Sequence, residues 1–347
     1  MSQTKSDAIA VAHKLMVGVD MGKAEFVAAT VWCGQHEYAG KTPNTDEGCG
    51  AFAQHMEELQ QACGAQAIHL VIEPTGGYEL RLVSEAYRRN WRVTLVNPLN
   101  VRHWQQGRGK RGKTDRLDAM MLAAFGAEHN PPAQQPIDEV AAQLDSLLAR
   151  QGDLTKLLQA ENNRLAQAQV NPHTHPATLL SIRRTVASLE CERAEIDAAI
   201  RQLFATHLKL ARQLKLLCSV PGIGKKTAPH LLALFHRFSA KTNGQGTAKE
   251  LVAFVGLDPK PFESGSSVRR RSTISRQGDP SIRSKLFFGA LGGVRGRNHL
   301  RQLYSSFLAR GKAKKLALVA CARKSLVWAW AIFTQDTTFD SARFVTS

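Results

Sequence analysis

The chain has little of what usually marks a secreted, metal-knuckle or membrane protein. Its six cysteines, Cys33, Cys49, Cys63, Cys191, Cys218 and Cys321, are scattered, with no C-x-x-C pair and no clustered histidines, which argues against a disulfide framework and a zinc site. No apolar run approaches the roughly 20 residues that cross a bilayer, and Met1 to Lys14 has no apolar core of a signal peptide. The expectation is a cytoplasmic protein without a membrane role. G-x-S-x-G is absent as well, which argues against a serine hydrolase. Acidic residues run short at one end only. Residues 218–347 carry 6 acidic and 22 basic side chains, whereas residues 1–136 carry 14 of each and residues 137–217 carry 9 and 10. Nearly all of the net charge of +17 therefore lies in the last third, the distribution expected of a module that faces a polyanion.

What is present at 347 residues is enough for two or three domains. Leu15-Met16-Val17-Gly18-Val19-Asp20 is an apolar strand ending in an acid, and Phe26 to Trp32 returns from it as a hairpin. Residues 46–63 have helical spacing, with Phe52, Met56 and Leu59 on one face. Ile68 to Ile72 repeats the first device, closing on Glu73, and Pro74 to Tyr78 turns into a helix before a further strand at Val93-Thr94-Leu95-Val96. This order predicts an α/β layer with a mixed sheet. In Lys113-Thr114-Asp115-Arg116-Leu117-Asp118-Ala119 a loop enters a helix, with Thr114 or Asp115 as cap and both aspartates on one face. Singly, each acid has a dull explanation: Asp20 in a turn, Glu73 at a helix entry, Asp115 and Asp118 at a positive helix N-terminus. Four carboxylates from three elements suit a divalent ion, Mg²⁺ or Mn²⁺, that polarises a phosphate.

Before that helix, Val101 to Gly112 carries Arg108, Lys110 and Arg111, followed by Lys113, and reads as a mobile cationic loop for a phosphate backbone. Residues 137–170 and 177–217 are rich in Leu, Ala, Gln, Glu and Arg and are broken by Asn171-Pro172 and Pro176, as in an antiparallel helical hairpin. Dimerisation through it and packing against its own domain are equally compatible with the sequence. Val220-Pro221-Gly222-Ile223-Gly224-Lys225-Lys226 has the pattern of a helix-hairpin-helix turn, in which Gly222 and Gly224 admit a phosphate and Lys225 and Lys226 add charge. A tight turn between two packed helices holds in either case. Glu263-Ser264-Gly265-Ser266-Ser267 with Arg269, Arg270 and Arg271 is, as a bare pattern, a polar cationic loop.

Val17-Gly18-Val19-Asp20, Ile72-Glu73-Pro74-Thr75-Gly76-Gly77-Tyr78 and Lys113-Thr114-Asp115-Arg116-Leu117-Asp118-Ala119 together resemble the DEDD motifs of the IS110 family of insertion-sequence transposases, which includes the pilin-gene invertase. Pro74 stands where the family has alanine, a change in a turn and not in a ligand. The resemblance spans about residues 15–335. It implies a RuvC/ribonuclease H-like domain at 15–136, a helical coiled-coil connector at 137–217, and a basic, mainly α domain at 218–335. It implies Asp20, Glu73, Asp115 and Asp118 as metal ligands and Ser264 as nucleophile, with Ser266 and Ser267 holding backbone or phosphate and Arg269 to Arg271 gripping the duplex. It further implies duplex DNA as substrate, a noncoding guide (bridge) RNA from the element, and a homodimer or homotetramer with composite sites, placed at the bacterial nucleoid. A junction nuclease that uses the same acids with water is the rival reading.

Overall fold

The computed structural model describes residues 13–109, 114–264 and 268–344, with the backbone alone for 261–264, 268–272, 343 and 344. The chain divides into two compact units, residues 1–136 and 137–347.

The first unit is built on a five-stranded sheet: β1 (Lys14–Met21), β2 (Glu25–Trp32), β3 (Gln35–Pro43), β4 (Ala67–Ile72) and β5 (Arg92–Leu95). Their order in space is β3-β2-β1-β4-β5. β1, β2 and β3 form an antiparallel meander, while β4 and β5 run parallel to β1, so the sheet is mixed. Helix α1 (Asp46–Cys63) links β3 to β4, α2 (Leu80–Arg88) links β4 to β5, and α3 (Pro98–Gly107) and α4 (Asp115–His129) follow. Thr45 caps α1 by accepting from Gly48 N at 3.0 Å, and Gly64 ends it in the left-handed region at φ 72°.

Alternation along the central strands divides the core between the two faces. Leu15, Val17 and Val19 of β1, with Ile68, Leu70 and Ile72 of β4, pack with Phe52 and Met56 of α1 and Leu82 of α2. The opposite face carries Met16, Val27, Ala29 and Val71, packed with Ala119, Leu122, Ala123 and Phe125 of α4. β3 is one of the two edge strands and, apart from Tyr38 and Ala39, is polar and exposed or half-buried, which is why no apolar alternation announces it.

The second unit begins with α5 (Glu139–Val170) and α6 (Pro176–Thr206), an antiparallel hairpin. Arg150 pairs with Glu192 at 2.8 Å across it, and Gln151 donates to Asp197 at 2.6 Å. Its base shares one core with the rest of the unit: Leu144, Leu148 and Ile200 are buried among Leu231, Phe235 and Leu326. Toward the bend, Leu157, Val170 and Leu180 are exposed. Residues 177–217, expected as one helical segment, instead divide at His207, a non-helical residue with ψ 87°, after which α7 (Leu208–Leu217) begins. No proline or glycine marks that break.

After α7 come α8 (Ala228–Lys241), α9 (Ala248–Val255), β6 (Pro259–Ser264), β7 (Val268–Ile274), α10 (Pro280–Gly293), α11 (His299–Ala309), α12 (Lys314–Gln335) and α13 (Ser341–Phe344). α12 is the axis of the unit. By length and apolar composition it passes as a membrane span, yet 56% of that stretch is buried in the protein. Trp330 meets Phe235 and Phe238 edge-on at 5.4 and 5.2 Å, so the tryptophans are core, as their setting predicts.

Candidate active site and nucleic-acid interface

Register and alternation bring the acids of the first unit toward one place. In the parallel β1–β4 pair the last matched residues are Val19 and Ile72; Asp20 is the next residue of β1, and Glu73 is the first residue past the end of β4. Asp20 follows the parity of Met16 and Gly18, which puts it on the face covered by α4, while Glu73 begins the segment that leaves β4. α4 runs antiparallel to β1. Lys14 Nζ donates to Asn130 Oδ1 at 3.0 Å beyond the end of α4, and Gly126 packs on Met16 and Val71. Gly18 lies under Ala119 and Ala123 so closely that a Cβ there would stand 2.3 Å from Ala119 O and 2.1 Å from Ala123 N. The start of α4 thus arrives beside the end of β1. Thr114 caps it by accepting from Leu117 N at 3.2 Å, Asp115 is exposed, and Asp118 is half-buried one turn on.

Asp20 and Asp115 line one pocket of about 220 Å³ with Gly22, Lys23 and Glu25. Lys41 closes on Glu25 at 2.7 Å, and that hydrogen bond, aided by the Asp115 charge, holds the ammonium above its usual range. Among the described residues no three His, Cys, Asp or Glu side chains gather as a ready metal cage. Mg²⁺ commonly takes one or two carboxylates and completes its shell with water and substrate phosphate, so the Asp20–Asp115 pair fits it and a protein-only cage is not required.

Two residues not singled out in the sequence fix the loops that follow Asp20 and Glu73. Asn44, 6% exposed, donates from Nδ2 to Gly22 O at 3.2 Å and to Tyr78 O at 3.0 Å, tying the β1–β2 turn to the segment after β4. Glu79, equally buried, accepts at Oε2 from Thr75 N and Thr75 Oγ1, both at 3.1 Å, and from Gly77 N at 2.9 Å. The only hint in the sequence is the glycine pair, Gly76 and Gly77, both of which adopt positive φ so that the loop can fold over Glu79.

The cationic segment before Asp115 is corrected in its first part. Residues 98–107 form α3 and not a loop, because Asn97 caps Leu99 N at 3.0 Å and Pro98 opens the first turn. Arg108 is committed to an ion pair with Glu128 and lies 4.7 Å over the Trp104 ring. Lys110, Arg111 and Lys113 lie outside the described residues.

In the second unit, the turn from Pro221 to Thr227 joins α7 to α8. Its two glycines differ in kind. Gly222, at φ 85°, is locked backbone to backbone on α10, since a Cβ on Gly289 would stand 2.2 Å from Gly222 O and one on Gly293 2.9 Å from Gly222 Cα. Ser325 Oγ donates to Pro221 O at 3.0 Å and pins the turn to α12. A Cβ on Gly224 would meet nothing within 4 Å, so packing does not demand glycine there. Gly224, Lys225 and Lys226 line an open cleft of about 1500 Å³.

The segment holding Ser264 is a two-stranded hairpin and not a loop: Ser264 pairs with Val268, Glu263 with Arg269 and Phe262 with Arg270. Arg271 lies in the same strand β7, and Ser266 and Ser267 lie outside the described residues. The hairpin is hidden because Pro259 and Pro261 and the arginine run Arg269 to Arg271 leave no apolar alternation along either strand.

A metal-suited carboxylate pair on a mixed sheet, joined in one chain to a basic helical unit, fits the class of DNA-acting transposases, and comparison with known proteins agrees: a DEDD transposase model of IS110 type matches residues 17–170. A second model, described as transposase IS116/IS110/IS902 family, matches residues 214–305. The chain is 31% identical over 335 residues to the pilin gene-inverting protein of Moraxella lacunata, covering 94% of this chain and 98% of that one, and equally so to its Moraxella bovis counterpart. An insertion element IS110 protein of 43.6 kDa from Streptomyces coelicolor is 27% identical over 165 residues, 46% of this chain and 38% of that one. The chain belongs to the IS110 family of transposases. It is a DNA recombinase of an insertion element, and its substrate is DNA.

Proposed function

We propose that this transposase cuts and rejoins duplex DNA through a covalent phosphoserine link made by Ser264, at a divalent-ion site held by Asp20 and Asp115 with Glu73 and Asp118 alongside. The reading rests chiefly on the shared pocket of Asp20 and Asp115, with Glu73 directly after the last residue of the strand beside β1. A bound Mg²⁺ or Mn²⁺ supplies Lewis acidity to a phosphate oxygen and acidifies a hydroxyl beside it. The Ser264 hydroxyl gives up its proton and attacks phosphorus, and the sugar oxygen leaves as a hydroxyl. Attack by an incoming sugar hydroxyl on the phosphoserine reverses the step and frees Ser264, so the bond energy is kept. Lys225, Lys226 and the backbone at Gly222 and Gly224 hold the DNA by its phosphates, as do Ser266, Ser267, Arg269, Arg270 and Arg271 near the nucleophile. Site choice belongs to an element-encoded guide RNA, and the working form is a homodimer or homotetramer whose active sites draw Ser264 from a partner copy.

The test is whether the purified protein, with Mg²⁺, junction DNA and RNA transcribed from the element's flanks, forms a denaturation-resistant protein–DNA adduct. The adduct is expected with the wild type and absent in both Ser264→Ala and Asp115→Asn. Cleaved DNA without an adduct would instead make water the nucleophile. Strand transfer undiminished in Asp115→Asn would remove the carboxylates from the chemistry.

A further inference from the structure

The cleft beside the 221–227 turn contains an aromatic ring that the core does not use. Phe288 on α10 lines it and is 64% exposed, touching, among the described aromatic rings, only its neighbour Phe287, edge-on at 5.8 Å. The same cleft is lined by five cationic side chains: Lys225 and Lys226 on the turn, Lys285 on α10, and Arg193 and Arg201 on α6. The two arginines are eight residues apart and so share one helix face. Among the described residues one carboxylate lines the cleft, Asp197, and it is already bonded to Gln151 at 2.6 Å. His230 adds no charge near neutrality, because burial lowers its pKa to about 4. Gly224 leaves the floor open, as nothing lies within 4 Å of where its Cβ would be.

A cationic wall by itself suits any phosphate backbone. An exposed ring among those cations suits a base whose face is free, which a continuous duplex does not offer. We infer that this cleft binds an unpaired nucleotide, its base stacked on Phe288 and the flanking phosphates held by Lys225, Lys226 and Lys285 on one side and Arg193 and Arg201 on the other. The helical hairpin then forms a wall of the site as well as joining two ends of the chain. The inference rests on the nucleic-acid reading of the turn and adds to it the strand state and the stacking residue.

The full chain is titrated into fluorescein-labelled single-stranded DNA, single-stranded RNA of the same sequence, and the blunt DNA duplex, with binding read by anisotropy. Phe288→Ala is expected to weaken binding of at least one single strand by about fivefold or more, the low end of base–aromatic stacking, and to leave the duplex unchanged. Phe288→Trp is expected to keep the affinity, with indole fluorescence quenched on binding. Arg193→Ala and Arg201→Ala should each flatten the salt dependence by roughly one phosphate contact. Comparing the two single strands shows whether the nucleotide belongs to RNA or DNA. Equal loss for duplex and single strands in Phe288→Ala, or loss of self-association without loss of binding, would overturn the stacking. If Lys225→Ala with Lys226→Ala weakens binding while Phe288→Ala does not, the inference fails and the reading of the turn stands. If neither changes binding, both fail.

Discussion

In Gly18→Ala the added Cβ would stand 2.1 Å from Ala123 N and 2.3 Å from Ala119 O. Both neighbours are helix backbone, so no rotamer change relieves the overlap. Ordinary contact begins at 3.4 Å, so α4 would have to retreat by about 1.3 Å. Overpacking of a filled core costs about 1–3 kcal/mol, and a backbone neighbour puts this substitution at the upper end. For a unit of this size that lowers its melting temperature by roughly 10 °C, as read by scanning calorimetry of the full chain. The same retreat carries Asp115 away from Asp20. A misplacement of about 1 Å in a reacting constellation costs on the order of a hundredfold in rate, so strand transfer is expected to fall that far. Gly50→Ala is the control, since it lies in α1 with nothing within 4 Å of the new methyl. It should gain about 0.5–1 kcal/mol and leave activity unchanged. If Gly18→Ala melts with the wild type and recombines at its rate, the close approach of α4 to β1 is not what aligns the acids.

Two further outcomes are expected in the same unit. Asn44→Ala leaves Gly22 O and Tyr78 O without their amide donor, which should cost about 1–3 kcal/mol and raise the Mg²⁺ concentration at half-maximal strand transfer; an unmoved metal dependence would mean that these loops need no clamp. His69 is fully buried, bonds Thr94 Oγ1 at 2.8 Å, and is lowered from 6.5 to about 4 by burial, with Arg92 and Lys14 adding to the effect. The unfolded chain takes up that proton near pH 6.5 and the folded one only near 4, so stability is complete above 6.5 and falls as the pH drops through this window, by about 3 kcal/mol in all. In His69→Gln the pH dependence of melting between those limits should flatten, and an unchanged profile would put the sensitivity on another group.

How much of this was legible in the sequence depended on whether the signal was local and apolar. β1, β2 and β4 could be read because burial on both faces writes nearly continuous apolar runs, Ile68 to Ile72 being interrupted only by His69, and the acids stood out because each closes a run or opens a helix. β3, β6 and β7 could not be read, because they gain their place from backbone pairing and not from an apolar face. α3 was hidden by the basic residues and glycines that follow it, although its Asn97-Pro98 start was in view. Asn44 and Glu79 were invisible for another reason. Asn44 reaches partners 22 and 34 residues away, and the hydrogen bonds of Glu79 depend on a loop shape that composition alone does not dictate.

The antiparallel fit of α4 to β1 also acts as a vernier. Lys14 meets Asn130, Met16 meets Gly126, Gly18 meets Ala119 and Ala123, and Asp20 shares its pocket with Asp115. Two strand residues advance about 6.6 Å and four helix residues about 6 Å, so the two scales stay in step over the whole contact. The alignment of the acids is therefore stored along the full length of both elements. Deleting one residue between Ala119 and Gly126 would turn the start of the helix by about 100° relative to the strand, disarming the site while leaving every acidic residue in the chain.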